Sequence, residues 1–150
     1  MKNAHQLHSL IAGVVLAMSV ASSSILAADM PSEKDVAKEK VIFQVSAGDP
    51  KTWNLALNNA KNVQQELGAK NVDIEIVAYG PGIGMLKFDS AVANRIDEAV
   101  ADGVKVVACE NTMKVQKLAR EDMLSSAAFV PAGVVELMKK QKEGYAYIRP

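Results

Sequence analysis

The chain has 150 residues, of which 49% are hydrophobic and 23% are charged, a composition that predicts one globular domain and excludes collagen-like or largely disordered sequence. Its 17 basic residues balance 17 acidic ones, so the formal net charge is zero. This balance supplies no electrostatic attraction for a nucleic acid, and no nucleic-acid partner is predicted.

The first 28 residues have the layout of a secretory signal peptide. Lys2 precedes an uncharged apolar run at residues 10–20, and small residues then lead to Ala27 and Ala28, after which cleavage is expected. A membrane anchor is the alternative, but the run is much shorter than the ~20 residues that span a bilayer. We therefore predict a soluble, exported protein, periplasmic or otherwise secreted, with no membrane attachment after cleavage.

Removal of this segment also removes every imidazole from the chain. Both histidines, His5 and His8, lie within it. Without histidine, neither a Ser-His-Asp triad, nor a Cys-His pair, nor a histidine metal site can form, and the single Cys109 cannot supply a cysteine cluster. We accordingly predict neither a bound metal nor a cofactor.

The mature chain begins with a polar arm at residues 29–39, and the domain at residues 40–150 then alternates short apolar runs with amphipathic stretches. This alternation predicts a three-layer α/β/α domain with right-handed crossovers and a mainly parallel sheet of about five strands, whose order the pattern does not reveal. The expected strands are residues 41–45, 72–79, 104–108, 129–130 and 145–148. The expected helices begin at the caps Asp49, Ser90 and Asn111 or Thr112, and a last one carries Val134 to Met138.

Cys109 is the strongest candidate for chemistry. Ligands of parallel α/β sheets bind beyond the carboxyl ends of the strands, and this rule selects the loops at residues 46–50, 80–88, 109–112 and 131–133. Cys109 ends the third strand just before a helix, where backbone N–H groups stabilise a thiolate, whereas a carboxylate from Glu110 would oppose it. The alternative is a small buried cysteine that serves packing alone.

The glycine-rich segment at residues 80–84 invites comparison with a phosphate-binding loop. It follows the second strand instead of the first, Pro81 has no N–H to donate, and Met85 stands where the third motif glycine belongs. We therefore predict a glycine-permitted turn at the rim of a crevice, and a nucleotide-dependent enzyme ranks last among the possible functions.

An ordered set of segments resembles the DsrE/DsrF-like family across about residues 40–150. The resemblance implies an α/β/α domain that forms homo-oligomers, commonly trimers or hexamers, and that takes part in sulfur relay, in which a persulfide on one cysteine passes between donor and acceptor proteins. The segments are VAYGPGI at 77–83, GVKVVACENTM at 103–113, VPAGVVEL at 130–137 and GYAYI at 144–148.

The position of the cysteine leaves two hypotheses. Relay subunits of the family carry their acceptor thiol near the helix that here begins around Ser90, where this chain has none, and Cys109 resembles the Ala-Cys-x-Asn-Thr position of stand-alone members. The first hypothesis is a periplasmic protein that handles sulfane sulfur with Cys109 as persulfide carrier, at most a cofactor-free sulfur transferase. The second is a non-catalytic oligomeric module that binds a small molecule or protein, with Cys109 structural. Besides Cys109, the expected site residues are Tyr79, Gly80, Gly82, Asn111, Thr112, Pro131 and Gly133.

Overall fold

The structure, a computed structural model, describes residues 37–150. The predicted signal peptide and most of the predicted arm lie outside the described residues. The first strand begins at Glu39, two residues before its predicted start, because Glu39 and Lys40 extend the pairing with Val72 and Asp73 of the next strand.

Strands and helices alternate along the described chain, and every expected element is present. Two short 3₁₀ helices, at Gly80–Leu86 and Arg120–Asp122, lie within the loops. The elements in chain order are β1 Glu39–Val45, α1 Pro50–Leu67, β2 Val72–Ala78, α2 Ala93–Ala101, β3 Lys105–Cys109, α3 Glu110–Gln116, β4 Ala128–Val130, α4 Gly133–Lys142 and β5 Ala146–Ile148.

All five strands run parallel, in the order β4-β3-β2-β1-β5. Three successive crossovers each step one strand further from β1, and α4 then carries the chain back across the sheet to place β5 beside β1. Because parallel crossovers are right-handed, this reversal puts α4 on the opposite face from the helices that precede it.

The two apolar clusters confirm the three-layer architecture. Alternate strand residues such as Phe43 and Ile76 belong to the larger cluster under α1 and α2, which contribute Leu57 and Ile96. The intervening residues form a smaller cluster with Leu137 of α4 on the other face. A sheet covered on both sides explains why its strands are nearly continuous apolar runs.

Helix α1 begins and ends where its sequence predicts. The Asp49 carboxylate accepts hydrogen bonds from the backbone N–H of Thr52 at 2.9 Å and from its hydroxyl at 2.8 Å, and Pro50 is the first helical residue. Gly68, with a φ of 85°, stops the helix. The buried side of the helix carries Trp53, Ala56, Leu57 and Ala60.

Two helices begin elsewhere than expected. Helix α2 starts at Ala93, after Val92, because the Ser90 hydroxyl instead accepts the Val92 N–H within the preceding turn, at 3.3 Å. Helix α3 starts at Glu110, so Asn111 and Thr112 lie inside its first turn and are not its caps. The pairing of Cys109 with Val130 extends β3 to the residue before the helix and leaves no room for a linker.

A charged residue, Glu75, is buried beneath α4. It is 1% exposed, and its Oε2 lies 3.0 Å from Lys105 Nζ and 3.9 Å from Lys140 Nζ. Its other oxygen, Oε1, is buried without a hydrogen-bond partner. Burial raises the pKa of this carboxyl, against the opposing pull of Lys105.

Within residues 37–150, no helix is both long enough and apolar enough to cross a membrane.

Candidate functional site

The strand order creates a topological switch point between the carboxyl ends of β3 and β4. Chain leaving β3 enters α3, whose Met113 packs into the larger core cluster, whereas chain leaving β4 enters α4 on the opposite face. Neighbouring strands whose connections diverge in this way form the switch point at which α/β sheets bind ligands. Cys109 and Val130 are register partners at this point, so the candidate nucleophile lies at the switch point.

The Cys109 side chain lies on the face covered by α4. Its strand neighbour Ala108 belongs to the cluster on the opposite face, and Val107, two residues back, belongs to the α4 cluster. The residue is only 5% exposed, so its sulfur is recessed below the surface. The thiol is free, and the sequence has no second cysteine with which it could pair internally.

Groups at the starts of two helices act on the Cys109 thiol. Burial raises the pKa of the Cys109 thiol, but hydrogen bonding from Thr112 and from the backbone N–H of Gly133 outweighs it, and the pKa lies below its ordinary value. Cys109 is the N-cap residue of α3, and Gly133 is the first residue of α4. Cys109 therefore lies beside the starts of two helices, and helix N-termini stabilise a nearby thiolate.

Glu110 does not oppose the thiolate in the way its position in the sequence suggests. Its carboxylate is paired with Arg120 at 2.5 Å. The Arg120 guanidinium in turn lies over the Phe129 ring, 4.4 Å from its centroid. The carboxylate of Glu110, the residue next to Cys109, thus forms an ion pair with Arg120.

The segment after β2 is a 3₁₀ helix, Gly80–Leu86, where a turn was predicted. Its apolar side chains explain the difference, because Ile83, Met85 and Leu86 are buried and draw the segment into the core. Gly82 lies against β1, where a Cβ atom would stand 2.2 Å from the Val45 carbonyl oxygen. Glycine is therefore required here by close backbone approach, without any phosphate ligand.

Side chains of helix α3 form hydrogen bonds with both the N–H and the carbonyl of Gly80. The Gly80 N–H donates to Thr112 Oγ1 at 3.0 Å, and Gln116 Nε2 donates to the Gly80 carbonyl at 3.1 Å. Gln116 is not among the predicted site residues, although its spacing of four residues from Thr112 places both side chains on one helix face. These bonds tie the loop after β2 to the loop after β3.

The remaining predicted residues lie at the same edge of the sheet, after β4. The Pro131 carbonyl accepts the Asn111 N–H at 3.1 Å. A Cβ atom on Gly133 would lie 3.2 Å from side-chain atoms of Tyr79 and Val77, so glycine lets α4 start close to β2. All eight predicted site residues therefore meet at the carboxyl edge of the sheet, Asn111 through its backbone, since it is exposed.

Among residues 37–150, no group of three or more His, Cys, Asp or Glu side chains is arranged to hold a metal ion.

These features define a class of protein: a parallel α/β/α domain with a recessed cysteine at its topological switch point. The model of the DsrE/DsrF-like family matches residues 39–150, and the chain belongs to that family.

Solved structures with the same fold come from archaea and bacteria. A protein of unknown function from Methanobacterium thermoautotrophicum is 33% identical with a TM-score of 0.72, and the match covers 75% of this chain and 100% of that one. A conserved protein of unknown function from Bacteroides thetaiotaomicron is 18% identical with a TM-score of 0.62, covering 75% of this chain and 95% of that one. The ychN protein from E. coli is 12% identical with a TM-score of 0.61, covering 75% and 99% of the two chains.

The two more distant structures support the fold alone. Comparison with curated proteins finds no match. The activity must accordingly be argued from the geometry of the site.

Proposed function

We propose that the protein handles sulfane sulfur and that Cys109 carries it as a persulfide. The observation that carries this proposal is the position of the free Cys109 thiol at the carboxyl end of β3, beside the starts of α3 and α4. Hydrogen bonding from Thr112 and from the Gly133 N–H lowers the pKa of this thiol against the effect of burial. A packing cysteine needs no such donors. The chain belongs to the DsrE/DsrF-like family, and its resemblance to that family implies sulfur relay, which supports the same proposal.

The loading step is a thiol–persulfide exchange. The Cys109 thiolate attacks the outer sulfur of a donor persulfide, a bond forms between Sγ and that sulfur, and the sulfur–sulfur bond of the donor breaks. The donor leaves as a thiolate with the electron pair of the broken bond, so no external oxidant or reductant takes part. Attack by an acceptor thiolate on the outer sulfur of the loaded Cys109 reverses the sequence and returns the Cys109 thiolate.

The amides serve both directions of this exchange. Cys109 is a thiolate when it attacks and again when it leaves, and donors that stabilise the anion increase the population of the first and the ease of departure of the second. Because the residue is 5% exposed, a slender donor such as an inorganic polysulfide reaches Sγ more readily than a persulfide on a folded protein.

The proposal includes export. The tripartite N-terminal segment at residues 1–28 supports action outside the cytoplasm, in the periplasm or beyond. A chain with one cysteine cannot form an internal disulfide there, so its thiol remains available for sulfur or for a partner molecule.

Mass spectrometry of the intact protein tests the carrier role. The purified protein is incubated with polysulfide, freed of excess reagent and weighed before and after reduction. We expect a mass increase of one or more sulfur atoms that reduction removes and that Cys109→Ser abolishes. A folded wild-type protein that gains no sulfur under these conditions refutes the proposal.

The burial of Cys109 favours a second candidate, a non-catalytic oligomeric binding module in which the cysteine only packs. The two candidates differ in what the host cell loses. If Cys109→Ser leaves the cellular phenotype unchanged while substitutions at Gly80 or Gly133 abolish it, the binding module is correct. If Cys109→Ser abolishes the cellular phenotype as fully as the substitutions at Gly80 or Gly133 do, the result supports the carrier role.

A further inference from the structure

Helix α4 is held to its face of the sheet by little apolar packing. Of its ten residues, all within the described part of the chain, Leu137 is the one large apolar side chain that is buried. Val134, Val135 and Met138 point outward and are about half exposed. Helix α1, by contrast, buries four apolar side chains in the larger core cluster. Because stabilisation by packing scales with the apolar area that is buried, α4 is held less firmly than α1.

The sheet beneath α4 contains a group that favours separation of the helix. Glu75 Oε2 pairs with Lys105 and with Lys140 of α4, but Glu75 Oε1 is buried without a hydrogen-bond partner. An unpaired oxygen on a buried carboxylate costs free energy, and contact with water removes that cost. Separation of α4 lets water reach Oε1, so the carboxylate that the helix covers offsets part of the packing that holds the helix in place.

The two ends of α4 are suited to such a movement. The N-cap residue is Ala132, whose methyl group cannot accept a hydrogen bond from the free N–H groups of the first turn. After the last turn comes Gly144, with a φ of 89°, and glycine changes its backbone angles at little steric cost. The helix therefore begins without a side-chain cap and is followed by a residue that can act as a hinge.

Cys109 lies beside the first turn of α4. It pairs in register with Val130, three residues before the helix starts at Gly133, and it is 5% exposed on the face that α4 covers. We propose that α4 is a lid: Gly133–Lys142 separates from the sheet as a unit and exposes Cys109, while the larger core cluster stays intact. The closed protein favours a slender sulfur compound, and the open protein admits a folded donor or acceptor protein. That use of the lid, though not the opening itself, rests on the proposed sulfur-carrying function.

Amide hydrogen exchange, together with labelling of Cys109 by a maleimide-polyethylene glycol, tests the lid. In the wild type we expect the amides of α4 to exchange at least about tenfold faster than those of β2 at the centre of the sheet. Leu137→Ala removes the apolar anchor and should accelerate α4 exchange and Cys109 labelling by the same factor, at least about tenfold, because both need the same opening. Leu57→Ala makes the same change at a side chain that is equally buried under α1, 4% exposed against 5%, and should leave both rates unchanged.

Two results would overturn the inference: α4 amides as well protected as those of β2 in both the wild type and Met138→Glu, or labelling of Cys109 that Leu57→Ala accelerates as much as Leu137→Ala does. Met138→Glu is included so that a contact between copies on the outer side of α4 does not conceal the opening. If Leu137→Ala does not fold, Leu137→Val is compared with Leu57→Val. Neither measurement uses sulfur: uptake from polysulfide with α4 closed defeats the lid alone, whereas a lid that opens in a protein that takes up no sulfur defeats the carrier proposal alone.

Discussion

At Gly82 the absence of a side chain allows backbone to lie directly on backbone. An added Cβ would stand 2.2 Å from the Val45 carbonyl oxygen, and neither partner can move without disturbing β1 or the 3₁₀ helix. We expect Gly82→Ala to lower the free energy of unfolding by about 2–3 kcal/mol, measured by urea denaturation. Gly84→Ala, whose Cβ would meet the Trp53 ring at 3.3 Å, is the matched variant, and a loss as large as that of Gly82→Ala would contradict this account.

Glu75 gives the stability a dependence on pH. Burial raises the pKa of its carboxyl, Glu136 adds to the rise, and Lys105 and Lys140 oppose it. A raised pKa in the folded state means that the folded protein binds the proton more tightly than the unfolded chain. The contribution of this group to stability is therefore complete below the ordinary pKa of 4.5 and is lost as the pH rises through the folded value.

Glu75→Gln removes this titration while it keeps the size of the side chain. We expect the stability of the variant relative to the wild type to increase between about pH 4 and about pH 7, measured as the difference in free energy of unfolding. Glu66→Gln, on the exposed side of α1, controls for the chemical change. A relative stability of Glu75→Gln that falls over this interval would show that the lysines dominate.

At the scale of elements, local sequence predicts what local interactions determine. The cap at Asp49, the stop at Gly68 and the apolar stripe between them are contained within α1, and all three were predicted. The start of α3 depends on how far β3 pairs with β4, and the 3₁₀ helix at Gly80–Leu86 depends on burial of its side chains against other elements. Local propensity along the chain reports neither the extent of strand pairing nor burial against distant elements.

The Asp49 cap supplies a test at this scale. Hydrogen bonds from the Thr52 N–H and hydroxyl lower the pKa of the Asp49 carboxyl below its usual 3.8, so the charged form contributes stability above that value and the contribution is lost on acidification through the folded pKa. We expect Asp49→Ala to lower the thermal midpoint at neutral pH and to approach the wild type in acid. Asp49→Asn, which keeps a capping oxygen, should lose less at neutral pH; an equal loss would mean that the cap itself contributes nothing.

For the whole molecule, the sequence predicted which loops lie together at one edge of the sheet, but not how the fold brings them there. The rule for parallel sheets selected the loops that the structure brings to one edge, and Cys109 was identified as the candidate nucleophile. The strand order, the depth of the sulfur and the contacts of Gln116 with Gly80 all depend on residues distant in the chain. Such relations follow from the complete fold and have no signature in a single segment.

The outer side of α4 bears on the expected assembly. Val134, Val135 and Met138 lie at helical spacing and are 52%, 47% and 53% exposed, and an apolar stripe of this kind suits contact with another copy of the chain. We expect the protein to sediment as a homo-oligomer, a trimer or hexamer as the family resemblance implies, and Met138→Glu to shift it toward the monomer. Leu67→Glu introduces the same charge at an exposed apolar position of α1 and should leave the assembly unchanged; a monomeric wild type would refute the expectation.

The order of the strands also has a consequence for biogenesis. β5 joins the flank of β1, and the side chains of Gln44 and Tyr147 form a hydrogen bond across a separation of 103 residues. Until Tyr147 has been synthesised, one edge of β1 has no partner strand. Pairing between residues so far apart in the chain is slow. The sheet therefore reaches its full width only when the last residues of the domain are available.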